Sequence, residues 1–241
     1  MKKQFITIII ILLSISTNAQ NWWNSKKVKG NGNLITKTIA IKSFDKVSIG
    51  GSFDVNLIDG VENKVIIEGE ENLIPYIETE VKKGKLKIQF KENTNIRTTK
   101  KLVITIPFED INAVSLGGSG NINVQKHIKT DSASFNIGGS GNITADVNAN
   151  TIKANIGGSG NIKLKGKTDN FKCSLAGSGS IKAYNLSTNS LKANIAGSGS
   201  IQSSVLENIK ANIVGSGSVY YKGNPKIDTK SIGSGDVIER N

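Results

Sequence analysis

Residues 152–165 read Ile-Lys-Ala-Asn-Ile-Gly-Gly-Ser-Gly-Asn-Ile-Lys-Leu-Lys. Ile152, Ala154 and Ile156 alternate with Lys153 and Asn155, and this period of two predicts a strand with one buried face. Gly158-Ser159-Gly160 interrupts the alternation, which Ile162 and Leu164 then resume as a second strand up to Lys165. Glycine belongs in such a turn where φ is positive, or where one turn stacks so closely on the next that a Cβ is excluded.

The same arrangement recurs outward in both directions. Gly-Ser-Gly tripeptides stand at Gly118-Ser119-Gly120, Gly139-Ser140-Gly141, Gly158-Ser159-Gly160, Gly177-Ser178-Gly179, Gly197-Ser198-Gly199, Gly215-Ser216-Gly217 and Gly233-Ser234-Gly235, with offsets of 21, 19, 19, 20, 18 and 18 residues. Two residues after each comes a β-branched apolar residue (Ile122, Ile143, Ile162, Ile181, Ile201, Val219, Val237). Two residues before come Leu116, Ile137, Ile156, Leu175, Ile195 and Ile213, with Ser231 ending the column. A unit this short cannot bury its apolar face alone, so the copies must stack. An antiparallel sandwich has many short strands too, but no reason to repeat identical turn residues at fixed spacing. The expected fold is therefore all-β: a right-handed, single-stranded β-helix or β-solenoid with rungs of 18–21 residues, each a strand, a glycine turn, a second strand and a polar return. Rungs about 4.8 Å apart would give the seven copies a core roughly 30 Å long.

The 34–116 segment is β-rich but irregular, and 117–241 holds the regular array. Ile49-Gly50-Gly51-Ser52-Phe53-Asp54-Val55 matches the repeat except for Phe53 in place of the second glycine, and reads as an eighth, degenerate copy. Tyr76–Val81 and Lys85–Phe90 predict a hairpin across Lys82-Lys83-Gly84. This part is expected to continue the solenoid and block its first edge; Pro225 and Glu239-Arg240 are expected to protect the other.

Composition narrows the function. One Cys and one His in 241 residues exclude an internal disulfide framework and a closed structural zinc site. Residues 1–19 carry Lys2 and Lys3, an apolar run from Phe5 to Leu13 and small residues at Thr17 and Ala19, a signal-peptide pattern too short to span a membrane. A linker over 20–33 is expected to follow. Loss of the two signal lysines takes the charge from +12 to +10, 29 basic against 19 acidic residues, and no later stretch is apolar enough for a membrane helix. The expected location is exported, in the periplasm or at the cell surface.

The signal peptide, the Gly-Ser-Gly arrays flanked by isoleucine and the stretch from Val65 to Ile88 together resemble the putative auto-transporter adhesin family with a head GIN domain, common in Bacteroidota. The resemblance covers roughly residues 35–238 and implies an exported, β-helical, adhesin-head domain. The chain departs from the family's name by reading Gly-Asn-Ile at 120–122, 141–143 and 160–162 and Gly-Ser-Ile afterwards, and it shows no membrane-barrel translocator segment.

Catalytic readings find little to stand on. The glycine runs recur with a strand after each, whereas a phosphate-cradling loop opens a helix. Calcium-binding nonapeptide repeats need acidic residues, but the position after the tripeptide holds Asn121, Asn142, Asn161, Ser180, Ser200, Ser218 and only then Asp236, better read as a rung-to-rung ladder of amides and hydroxyls. Cys173 falls in a column with Val114, Phe135, Ala154, Ala193 and Ala211, as a small buried hydrophobe, and His127 reads as a solvated loop residue. No column pairs two carboxylates for glycoside cleavage. No catalytic residue, metal site or cofactor is expected.

The remaining signal is charge. Lys153, Lys172, Lys192 and Lys210 share one outward column, with nothing acidic opposite them in the repeat, and should stack as a ladder about 4.8 Å apart. Such a ladder either keeps strand edges solvated or meets the repeated anions of a polysaccharide or lipopolysaccharide; nucleic acid would be held only without sequence preference, since aromatics do not interleave with the lysines. The expectation is an exported non-enzymatic interaction module of adhesin type, with a binding protein for acidic polysaccharide as the alternative and a polysaccharide-degrading enzyme third. The partner is an unidentified surface ligand, and the repeat leaves room for oligomers.

Overall fold

A computed structural model describes residues 26–240; the segment expected to be a signal peptide, Trp22 and Trp23 lie outside the described residues. The N-terminal half contains β1 (Lys26–Lys29), β2 (Leu34–Ala40), β3 (Lys46–Gly50), β4 (Asp54–Asp59), β5 (Lys64–Glu70), a 3-10 turn (Ile74–Tyr76), β6 (Ile77–Lys82), β7 (Lys85–Phe90), β8 (Thr94–Arg97), β9 (Val103–Phe108), β10 (Ala113–Gly118) and β11 (Asn121–Val124). The array then runs through β12 (Ile128–Gly139), β13 (Asn142–Gly158), β14 (Asn161–Gly177), β15 (Ser180–Gly197), β16 (Ser200–Gly215), β17 (Ser218–Lys222), β18 (Lys226–Gly233) and β19 (Val237–Glu239). Successive rungs pair in parallel, forming a β-solenoid of about seven turns. Residues 26–29, within the segment read as linker, pair as β1 with β8.

The columns align as the repeat requires. Phe135, Ala154, Cys173, Ala193 and Ala211 follow one another in register, as do Ile137, Ile156, Leu175, Ile195 and Ile213, and all are buried. Each large aliphatic or aromatic side chain removed from water in this way contributes roughly 1.5–3 kcal/mol, so the columns are the main source of cohesion between rungs. The polar return between copies is itself strand: β13 and β14 run unbroken for 17 residues each, with Val147 and Thr168 turned inward. Thr168 is tolerated in the core because its Oγ1 donates to Asn150 O (3.2 Å) or Asn170 O (3.3 Å).

Both physical reasons for glycine apply in the tripeptide, together at its first glycine and as clearance alone at its second. Gly158 has φ of +132°, whereas Gly160 is needed for clearance, a Cβ there falling 2.4 Å from Gly141 O in the rung below.

The N-terminal part continues the solenoid and covers its first edge, but not in chain order. β3 and β4 lie between β10 and β11 on one side and β7 and β9 on the other, so the Gly50-Gly51 turn stacks directly on Gly117, and Gly51 N donates to Gly117 O at 2.8 Å. The reason is local: residues 49–52 have the turn of the regular copies and can seat under one, while 64–108 has no such turn and goes outside. Phe53 then fills the space where the glycine stack ends, fully buried, its ring 4.6 Å from that of Phe90. The predicted hairpin is present as antiparallel β6 and β7, and β5 pairs antiparallel with β2 and β9.

Candidate functional site

The four lysines of the outward column come together. Lys153, Lys172, Lys192 and Lys210 are consecutive register partners on β13, β14, β15 and β16, all exposed. They are placed there by their neighbours: Ile152 and Ala154, with their counterparts in each rung, point inward, so the residue between must point out. Toward the N-terminal end the column continues through Ser134 and Ala113 to Lys46 and Lys85. Toward the other end it reaches Asp228, whose Oδ2 lies 3.5 Å from Lys210 Nζ. The expectation that nothing acidic opposes the ladder is thus corrected: the final copy substitutes an acid and partly neutralises the last lysine.

Lys172, Lys192, Lys210 and Asp228 also line a groove of about 380 Å³, together with Asn170, Ser190, Asn208 and Lys226 from the column two residues earlier. Sequence reading missed Lys226, which stands where earlier copies carry Thr151, Asn170, Ser190 and Asn208 and so carries no repeat signal. A larger groove of about 480 Å³ on the return side holds Lys129 and Lys167, but also Asp169, which accepts from Asn189 Nδ2 at 3.2 Å; its charge is mixed.

The polar ladder after the tripeptide forms in segments. Asn161 donates to Asn142 (2.9 Å), Asn142 to Asn121 (2.8 Å) and Asn121 to Asp54 (2.7 Å), and Ser180 meets Ser200 at 3.1 Å. A second ladder, not foreseen, links Asn155 to Asn136 (2.8 Å) and Asn212 to Asn194 (3.0 Å) on the face that carries the lysines. These amides hold the surface between charges in fixed positions.

The residues with conventional chemistry are otherwise occupied. Cys173 is fully buried, and burial pushes its thiol well above the ordinary range. His127 lies in the loop after β11, and its Nδ1 is 2.8 Å from Asp146 Oδ1, while Lys165 Nζ is 3.0 Å from Asp146 Oδ2. Partial burial opposes ionisation of Asp146, but the hydrogen bonds and charges of Lys165 and His127 outweigh it and hold the carboxyl below its usual range. Among the described residues no group of three or more His, Cys, Asp or Glu is placed to hold a metal.

Residues 43–225 match the sequence model of the family described as "Putative auto-transporter adhesin, head GIN domain". The chain belongs to this family. Solved structures similar to this chain share the fold over their full length: a putative adhesin from Bacteroides fragilis is 26% identical with a TM-score of 0.81, covering 88% of this chain and 100% of its own. A putative adhesin from Parabacteroides merdae is 27% identical with a TM-score of 0.70, covering 90% and 100%. A putative lipid binding protein from Parabacteroides distasonis is 28% identical with a TM-score of 0.75, covering 90% and 100%. No curated protein matches the chain.

Proposed function

We propose that this head GIN domain protein is an exported, non-enzymatic adhesion module that holds an acidic polysaccharide along the lysine groove. The observation that carries the reading is the in-register stacking of Lys153, Lys172, Lys192 and Lys210, with Lys226 facing the same groove. Like charges one rung apart repel by about 1 kcal/mol per pair even in water, and a polymer with repeated anions relieves several such repulsions at once. Each contact is weak and screened by salt, so affinity comes from the number of lysines engaged together. The family and the adhesin names of the structural relatives support export and a binding role without catalysis. Among the described residues no helix is long and apolar enough to cross a membrane.

Retention on immobilised heparin across a salt gradient tests this. Wild-type protein should elute at clearly higher salt than the variant with Lys153, Lys172, Lys192 and Lys210 all changed to Gln. Equal elution would discard the groove as the binding site, and depolymerisation of an acidic polysaccharide panel by the wild type would return the protein to the enzymes.

A further inference from the structure

The two ends of the stack differ. At the N-terminal end Leu73, Ile74 and Ile77 are buried and close the core, and the exposed strand there, β2, lies antiparallel on β5 instead of continuing the parallel stack. At the C-terminal end all eight residues of β18 are exposed, Ile227 by 43% and Ile232 by 72%. Yet Ile227, Thr229 and Ser231 continue the columns that are buried one rung earlier as Ile209, Ala211 and Ile213. The expected protection by Pro225 and Glu239-Arg240 does not reach this strand: Arg240 instead donates its N–H to Tyr221 O at 2.8 Å and lays its guanidinium over the Tyr220 ring, leaving β18 uncovered among the described residues.

The unpaired peptide groups of β18 can be named from the hydrogen-bond phase of the stack. Residues of the inward columns direct their peptide groups to the following rung: Asn112 O, in the column of Ile152, accepts from Ser134 N (2.9 Å), buried Val219 N donates to Asp236 O (2.9 Å), and Tyr221 O accepts from Arg240 N (2.8 Å). Residues between them face the preceding rung. In β18 the groups facing outward from the end are therefore those of Ile227, Thr229 and Ser231, which have no partner rung among the described residues.

We propose that this end is a self-docking surface, on which β18 pairs antiparallel with β18 of a second copy about a two-fold axis at Thr229, giving a closed tail-to-tail dimer. Antiparallel pairing must bring outward-facing peptide groups opposite one another. Three two-fold registers centred on the strand do so, with the axis at Asp228, Thr229 or Lys230. An axis at Asp228 sets Asp228 against itself and Lys226 against Lys230; an axis at Lys230 sets Lys230 against itself. An axis at Thr229 hydrogen-bonds Ile227 to Ser231 and Thr229 to its equivalent, and sets Asp228 opposite Lys230 twice. This is the register of the three that pairs opposite charges, and directly opposed side chains on one face of an antiparallel pair are close enough for that to matter. The same register shelters Ile227 and sets Ile232 against the aliphatic stem of Lys226. Head-to-tail stacking would instead use the closed end and run on as an open filament, whereas the two-fold arrangement closes.

Sedimentation velocity on the purified protein, from low to high micromolar concentration, tests the proposal. The wild type should sediment at twice the monomer mass. Thr229→Pro removes an N–H that has no partner among the described residues, and Asp228→Lys places lysine opposite lysine; each should weaken dimerisation at least about tenfold. The exchange Asp228→Lys with Lys230→Asp restores opposite charges across the axis and should bring dimerisation back to within about threefold of wild type, which separates an interface effect from misfolding. A protein monomeric throughout, a dimer indifferent to these substitutions, a double variant as weak as Asp228→Lys, or open-ended polymers would each overturn the proposal.

Discussion

A Cβ at Gly158 would lie 2.4 Å from Gly139 O, on a residue whose φ is already +132°, so neither space nor conformation admits a side chain. Gly138, which precedes Gly139 in the rung before, has nothing within 4 Å of its would-be Cβ, and its column continues through Gly157 to Ala176, Ala196 and Val214. Gly158→Val should therefore cost about 3 kcal/mol or more, and Gly138→Ala and Lys153→Gln less than about 0.5 kcal/mol. Thermal melts of the three variants check this, and equal midpoints would contradict the turn assignment. Gly158 was legible as a turn because its column repeats. Glu70 was not, because its partners are distant in sequence: only 1% exposed, it accepts from Gly32 N (2.7 Å), Thr99 N (2.8 Å), Thr99 Oγ1 (2.6 Å) and Lys100 N (3.2 Å). Desolvation works against its charge, but these donors overcome it and hold the carboxyl at about 2, below the ordinary 4.5. A depressed folded-state value means that the stabilisation is complete above about pH 4.5 and is lost as pH falls through about 2. Glu70→Gln should flatten the dependence of melting temperature on pH across that window, and an unchanged acid slope would show that Glu70 contributes nothing to it.

Strands extend further than their apolar alternation suggested. The return segments carry polar residues at outward positions and threonine at an inward one, so composition read only as a polar return where the parallel register of neighbouring rungs enforces strand. The placement of β3 and β4 beneath β10 and β11 was similarly hidden, because an eighth turn motif says which turn it can stack on and nothing about the order of the segments between. Phe53 marks where that stack stops. Phe53→Ala should cost about 3–5 kcal/mol, since it empties a buried site between Gly51 and Phe90 that the rungs cannot collapse to fill. Chemical denaturation measures it, and a loss below about 1 kcal/mol would mean that the ring is not part of the packed end.

At the scale of the whole molecule, the repeat converts one sequence choice, lysine between two inward residues, into a line of charge along the rod. That line was readable from the sequence; its termination at Asp228 and its enlargement by Lys226 were not, because both belong to the copy that departs from the pattern. If binding follows the line rather than the net charge of +12, two charge-matched variants must behave differently. One changes Lys153, Lys172, Lys192 and Lys210 to Gln; the other changes Lys129, Lys163, Lys167 and Lys182, equally exposed but away from the column. The measurement is the affinity for a defined acidic polysaccharide as a function of salt. The column variant should lose at least about tenfold in affinity and show a salt dependence shallower by about two to three ionic contacts, while the off-column variant stays within about threefold of wild type. Equal losses in the two variants would contradict a site on the lysine column and leave only non-specific attraction by overall charge.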